Sequence, residues 1–144
     1  MISELLLTSR SDALAYANQS VEASIPKLEA NTVDTIKLAS LALILDSKEL
    51  LDDDVIAFAN RFEDVANQGE DGPWLYVCPR DFRLDLAELS PDRLREVAEA
   101  WVTTEEAQLD QWTVTDTEEF LNALSQFCAK TSADDSDLFL FVSL

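Results

Sequence analysis

Apolar positions recur along this chain with two different spacings, and the spacing separates helices from strands. The set Leu94, Val97, Ala98, Trp101, Gln108, Leu109 and Trp112 falls on one stripe at about 100° per residue, with Arg93, Arg95, Glu96, Glu99 and Asp110 largely outside it. Ser90 stands ahead as an N-cap. Pro91 takes the first helical position, where its missing N–H does no harm, and Asp92 faces the positive end of the dipole. The pattern predicts one uninterrupted helix of roughly five turns from Pro91 to Trp112, with both tryptophans turned inward. The same count puts Glu105 within about 20° of Leu94 and Trp112, near the middle of the apolar stripe, and Glu106 at its edge.

Shorter apolar runs predict strands. Ile2 to Thr8 is one, and Trp74 to Cys78, aromatic and β-branched and stopped by Pro79, is another. The run Leu138-Phe139-Leu140-Phe141-Val142 is too short to cross a membrane and too apolar for a sheet edge, so it predicts a central strand flanked by the other two.

Helical spacing accounts for most of the remainder. Ser9 or Ser11 caps a helix carrying Leu14, Ala17 and Val21, which ends before Pro26, and Leu28 lies in an extended link. Asn31 or Thr32 caps a second helix through Val33, Ile36, Ala39 and Leu43. Its apolar stretch Leu41 to Leu45 marks it as central. Asp52-Asp53-Asp54 precedes a third helix bearing Val55, Phe58, Ala59, Phe62, Val65 and Ala66, and Gly69 to Pro73 is the clearest loop. Between Pro79 and Leu89, Phe82, Leu84 and Leu86 alternate like a strand while Phe82, Leu86 and Leu89 repeat like a helix; Pro79 as a first helical residue favours the helix. Thr115 with Glu118 forms a capping box for a last helix carrying Phe120, Leu121, Leu124, Phe127 and Cys128, and Ala133 to Asp137 makes the final turn. The predicted fold is α+β, mostly α: five to six helices on a small two- to three-stranded sheet formed by the N-terminal strand, the 74–78 strand and the C-terminal strand. Residues 1–144 are expected to form a single compact acidic domain, large enough to bury a core of its own.

Charge narrows the functional classes. Twenty-nine acidic against ten basic residues give a net charge of −19. Phosphate binding relies on Lys and Arg, so the balance argues against direct contact with nucleic acid and for attraction to a basic protein. A solvated, self-repelling acidic surface is the alternative. With two glycines and no histidine, Gly-rich phosphate loops and His-based nucleophile relays are excluded. Cys78 and Cys128 have no second thiol nearby, so a zinc site is not expected. Three acids at Asp52 to Asp54 suit a helix start on their own, so no metal and no cofactor is expected. The start Met1-Ile2-Ser3-Glu4 lacks the basic region of a signal peptide, which predicts a cytoplasmic protein with reduced thiols and no membrane span.

Glu105 is the candidate site, with Glu106 beside it and Trp101, Trp112 and Trp74 as neighbouring pocket residues. A buried carboxylate must be hydrogen-bonded, paired or protonated. Glu105 is then a structural acceptor, or it lines a cleft as a general acid/base or metal ligand, or the helix breaks near Thr103 and Thr104 and leaves it in water.

Trp101-Val-Thr-Thr-Glu105-Glu106, preceded by Leu94-x-x-Val97-Ala98 and followed by the closing Leu-Phe-Leu-Phe-Val-Ser-Leu, resembles a family of small bacterial proteins. These share a W-x-x-T-E-E helix and a C-terminal apolar strand ending in V-S-L. Leu28 through Leu45 is similar to their first long helix. The resemblance implies a bacterial cytosolic protein and assigns no activity, cofactor or site residue. Three functions remain open: a non-enzymatic interaction module of the inhibitor or immunity type that binds a basic protein surface, a DNA-mimic inhibitor, and a carboxylate-based, metal-dependent enzyme centred on Glu105.

Overall fold

The computed structural model describes residues 2–18, 25–66, 69–130 and 136–143. In chain order the elements are β1 (Ile2–Thr8), α1 (Arg10–Ala17), β2 (Lys27–Glu29), α2 (Thr35–Leu45), α3 (Asp52–Ala59), β3 (Glu63–Asp64), β4 (Trp74–Val77), α4 (Arg80–Ala87), α5 (Pro91–Val102), α6 (Glu105–Leu109), α7 (Val114–Ala129) and β5 (Asp137–Ser143). The class is α+β, as expected. The counts differ: the described residues hold seven helices on a five-stranded antiparallel sheet of order β2-β1-β5-β4-β3.

The sheet is built around the apolar run at its centre. β5 pairs with β1 from Ile2↔Ser143 to Thr8↔Asp137, and on its other side with β4 from Trp74↔Val142 to Val77↔Phe139. Both its faces are covered, which explains why the run is apolar without alternation. Leu5, Leu7, Leu138, Leu140 and Val142 face the larger core, filled by α2, α4, α5 and α7. Leu6, Leu75 and Phe139 face the other way, onto Ala13 and Ala17 of α1. The two added strands, β2 and β3, lie at the edges with mostly exposed side chains, so Leu28 belongs to a strand and not to a link.

Helix α2 has eight buried residues among its eleven and packs against α3 and α5, which is the central position its sequence predicts. Its cap is Asp34, whose carboxylate accepts from the Lys37 N–H at 2.9 Å, and not Asn31 or Thr32. Thr32 instead sits in a turn closed by Val33 N–H to Ala30 C=O, at φ 66°, a backbone conformation that favours glycine. The capping box at Thr115 and Glu118 is displaced as well. Thr113 caps α7 by accepting from the Asp116 N–H, and Glu118 pairs with Arg95 at 3.0 Å. The third helix ends at Ala59, so Phe62, Val65 and Ala66 lie beyond it. Residues 80–87 are helical with Pro79 as the cap, and Ser90 precedes Pro91 without a side-chain capping bond. Val21 and residues 133–135, assigned above to a helix and a turn, lie outside the described residues.

Candidate functional site

The single long helix expected from Pro91 to Trp112 does not form, because two threonines divide it. At Thr104 the backbone is extended, with ψ 149°. Threonine hydroxyls compete for backbone groups wherever a helix allows it. Thr103 Oγ1 donates to the Ala100 carbonyl at 2.7 Å and Thr104 Oγ1 to the Trp101 carbonyl at 2.8 Å. These bonds satisfy the last turn of α5. Thr104 then accepts from the Ala107 N–H and caps α6. Glu105 and Glu106 thereby occupy the first turn of a new helix, where the dipole favours acids.

The change of direction overturns the inward placement of Glu105. It is exposed, Glu106 is half-buried, and Leu109, expected on the buried stripe, is 75% exposed. Of the three roles open to Glu105, the break at Thr103 and Thr104 is the one observed. Both glutamates line an open groove of about 600 Å³ between α2, α3 and the α5–α6 turn, together with Ile36, Leu50, Asp52 and Ile56. Ile56 is 53% exposed and Leu50 37%. Beneath them lies a small apolar cluster of Ala39, Leu43 and Val55. Among the described residues no three thiol or carboxylate side chains are grouped as metal ligands would be.

The three tryptophans do not gather around Glu105. Trp101 is fully buried in the larger core. Trp74 is half-buried on β4, and its ring lies so close to Gly72 that a Cβ there would approach within 2.8 Å of it. Trp112 meets the Trp101 ring edge to face at 4.8 Å, and its indole N–H donates to Thr32 Oγ1 at 3.0 Å.

Trp112 belongs to a second site, a pocket of about 320 Å³ that shares no lining residue with the groove. The turn at Thr32, the turn from Asp110 to Trp112 and the first turns of α7 enclose it. Lys37, buried on α2, pins two of these segments: its ammonium donates to the Thr32 carbonyl and to Asp110, and lies 5.6 Å from the centre of the Trp112 ring. Gln111, at φ 59°, ends α6 in a left-handed turn. Its N–H donates to the Gln108 carbonyl and that of Trp112 to the Ala107 carbonyl at 3.0 Å. Lys37 and Thr117 carry no expectation from the sequence, and Thr32 and Asp110 enter it only as a helix cap and a position off the apolar stripe, although one signal was present: Lys37 is the sole charged residue of α2.

Cys78 and Cys128 are buried free thiols. Removal from water pushes Cys78 well above its usual value and Cys128 up to about 12, so neither is a nucleophile at neutral pH. No helix among the described residues is long and apolar enough to cross a membrane. Comparison with known protein families, with curated protein sequences and with solved structures finds no match for this chain.

Proposed function

We propose that the protein is a non-enzymatic interaction module of the inhibitor or immunity type, which binds a basic protein surface through the groove at Glu105 and Glu106. The observation that carries this reading is the pairing of exposed Ile56 and Leu50 with Asp52, Glu105 and Glu106 around one groove. Apolar side chains left in water beside carboxylates in one groove resemble the mixed apolar and polar make-up of an interface. The net charge of −19 selects a basic partner and speeds its approach. A DNA mimic has no use for these exposed apolar side chains. The partner surface presents lysine or arginine around an apolar side chain that seats on Ile56, and both proteins work in a reducing cytoplasm, in keeping with the buried free thiols.

Capture from a native lysate with three baits tests the reading. The baits are the wild-type chain, Ile56→Glu, and the double variant Glu105→Lys/Glu106→Lys. A basic protein that wild type retains in low salt, releases in high salt, and that both variants fail to retain supports the groove. A basic protein held equally by all three baits, or by none, overturns it.

A further inference from the structure

We propose that the Trp112 pocket is a binding site for a small organic cation, an ammonium or guanidinium group carried on a short apolar stem. The argument starts from a polar group without a partner. Thr117 lines the pocket and is 3% exposed, and its hydroxyl is one of two buried side-chain polar atoms among the described residues that make no hydrogen bond. Buried polar groups are nearly always satisfied, so an unpartnered hydroxyl on a residue that lines a pocket invites a donor brought by a ligand, which the side chain meets by a turn about χ1.

The rest of the lining says which donor. Trp112 and Phe120 supply aromatic surface, which suits an apolar stem and attracts a cation. Asp110 is already neutralised by Lys37. Asp116, on the same wall, forms no ion pair among the described residues, and so leaves one negative charge for the occupant. An ammonium or guanidinium has donors enough for the Asp116 carboxylate and the Thr117 hydroxyl together. A neutral alcohol of the same shape lacks the charge, and an anion meets repulsion.

The walls are also held in place before any ligand arrives. Thr32 and Gln111, two of the three non-glycine residues with positive φ among the described residues, both line the pocket. Lys37 and Trp112 fix the first of them through its carbonyl and its hydroxyl. Strained backbone persists where the surroundings over-determine it, and such places cluster at binding sites.

Amide and indole NMR spectra of the full chain, in salt near physiological where charges beyond about 8 Å are screened, test the proposal. Butylammonium and 1-butanol form the matched pair of probes. The Trp112 indole N–H should shift saturably with butylammonium, and at least about ten-fold more weakly with the alcohol. Asp116→Asn should weaken butylammonium about ten-fold, while Asp92→Asn, outside the pocket, should leave it unchanged. Thr117→Val should weaken it about three-fold, as expected for one hydrogen bond, with thermal stability equal or higher because an unpartnered hydroxyl is removed. N-acetyl-lysine N-methylamide distinguishes the source: binding as tight as butylammonium assigns the site to a basic side chain of a partner, and binding ten-fold weaker assigns it to a free amine. Equal binding of the amine and the alcohol, indifference to Asp116→Asn, or no saturable shift of the indole overturns the proposal.

Discussion

The indole N–H of Trp101 donates to the Lys37 carbonyl at 2.9 Å, so the largest fully buried side chain is tied to the residue whose ammonium holds the α6–α7 turn. Both ends of Lys37 are thus engaged, the backbone by the core and the side chain by the pocket. Trp101→Ala removes a fully buried ring and should cost about 3–5 kcal/mol. Trp101→Phe keeps most of the burial and loses the hydrogen bond, for about 1–2 kcal/mol. Urea unfolding with unchanged m-values checks both, and equal costs for the two variants would contradict the role given to the N–H.

Lys37 is 5% exposed and Asp110 36%. Removing one partner of such a pair strands the other. Asp110→Asn should cost about 2 kcal/mol, less than the 3–5 of a wholly buried pair because the carboxylate reaches water. Lys37→Met takes away the buried charge together with its need for a partner, and should cost less than Asp110→Asn. The two chemical melts, compared at one pH, decide the order.

The buried thiols set a limit on alkaline stability. Unfolded, Cys128 releases its proton near its usual value of 9, whereas in the fold it keeps it up to about 12. Above pH 9 the unfolded chain therefore binds fewer protons than the folded one, and stability falls by about 1.4 kcal/mol per pH unit for this thiol. The contribution is complete below pH 9 and lost as pH rises towards 12. Urea melts from pH 8 to 11 should show a shallower fall for Cys128→Ala than for the wild-type chain; parallel curves would refute it.

Ser47 closes α2 at φ 58°, with its N–H on the Ile44 carbonyl and the Lys48 N–H on the Leu43 carbonyl at 2.9 Å. A side chain in this left-handed position is strained and glycine is not, so Ser47→Gly should raise stability by about 1 kcal/mol. A lowered melting temperature would count against the geometry of this cap.

What the sequence discloses and what it conceals divide along physical lines. The three inner strands were legible because a strand covered on both faces is apolar without interruption, as Leu138 to Val142 is. The edge strands were not: Lys27–Glu29 and Glu63–Asp64 are mostly exposed and carry no apolar period. The break before Glu105 was written as Thr103-Thr104-Glu105-Glu106, a hydroxyl cap followed by acids. A count at 100° per residue passes over it because Trp112 also returns to the core. Glu105→Gln should accordingly change stability by no more than about 0.5 kcal/mol. The Trp112 pocket depends on Thr32 and Trp112 meeting across the fold, a relation that no local pattern encodes.

The pairing of β1 with β5 also sets a timetable for synthesis. A ribosome releases β1 first among these strands and β5 last, and β4 is joined to β1 only through β5. Every helix among the described residues is therefore made before the sheet has its spine, and the nascent chain must hold Leu5, Leu6 and Leu75 out of aggregation until Phe139 and Leu140 emerge.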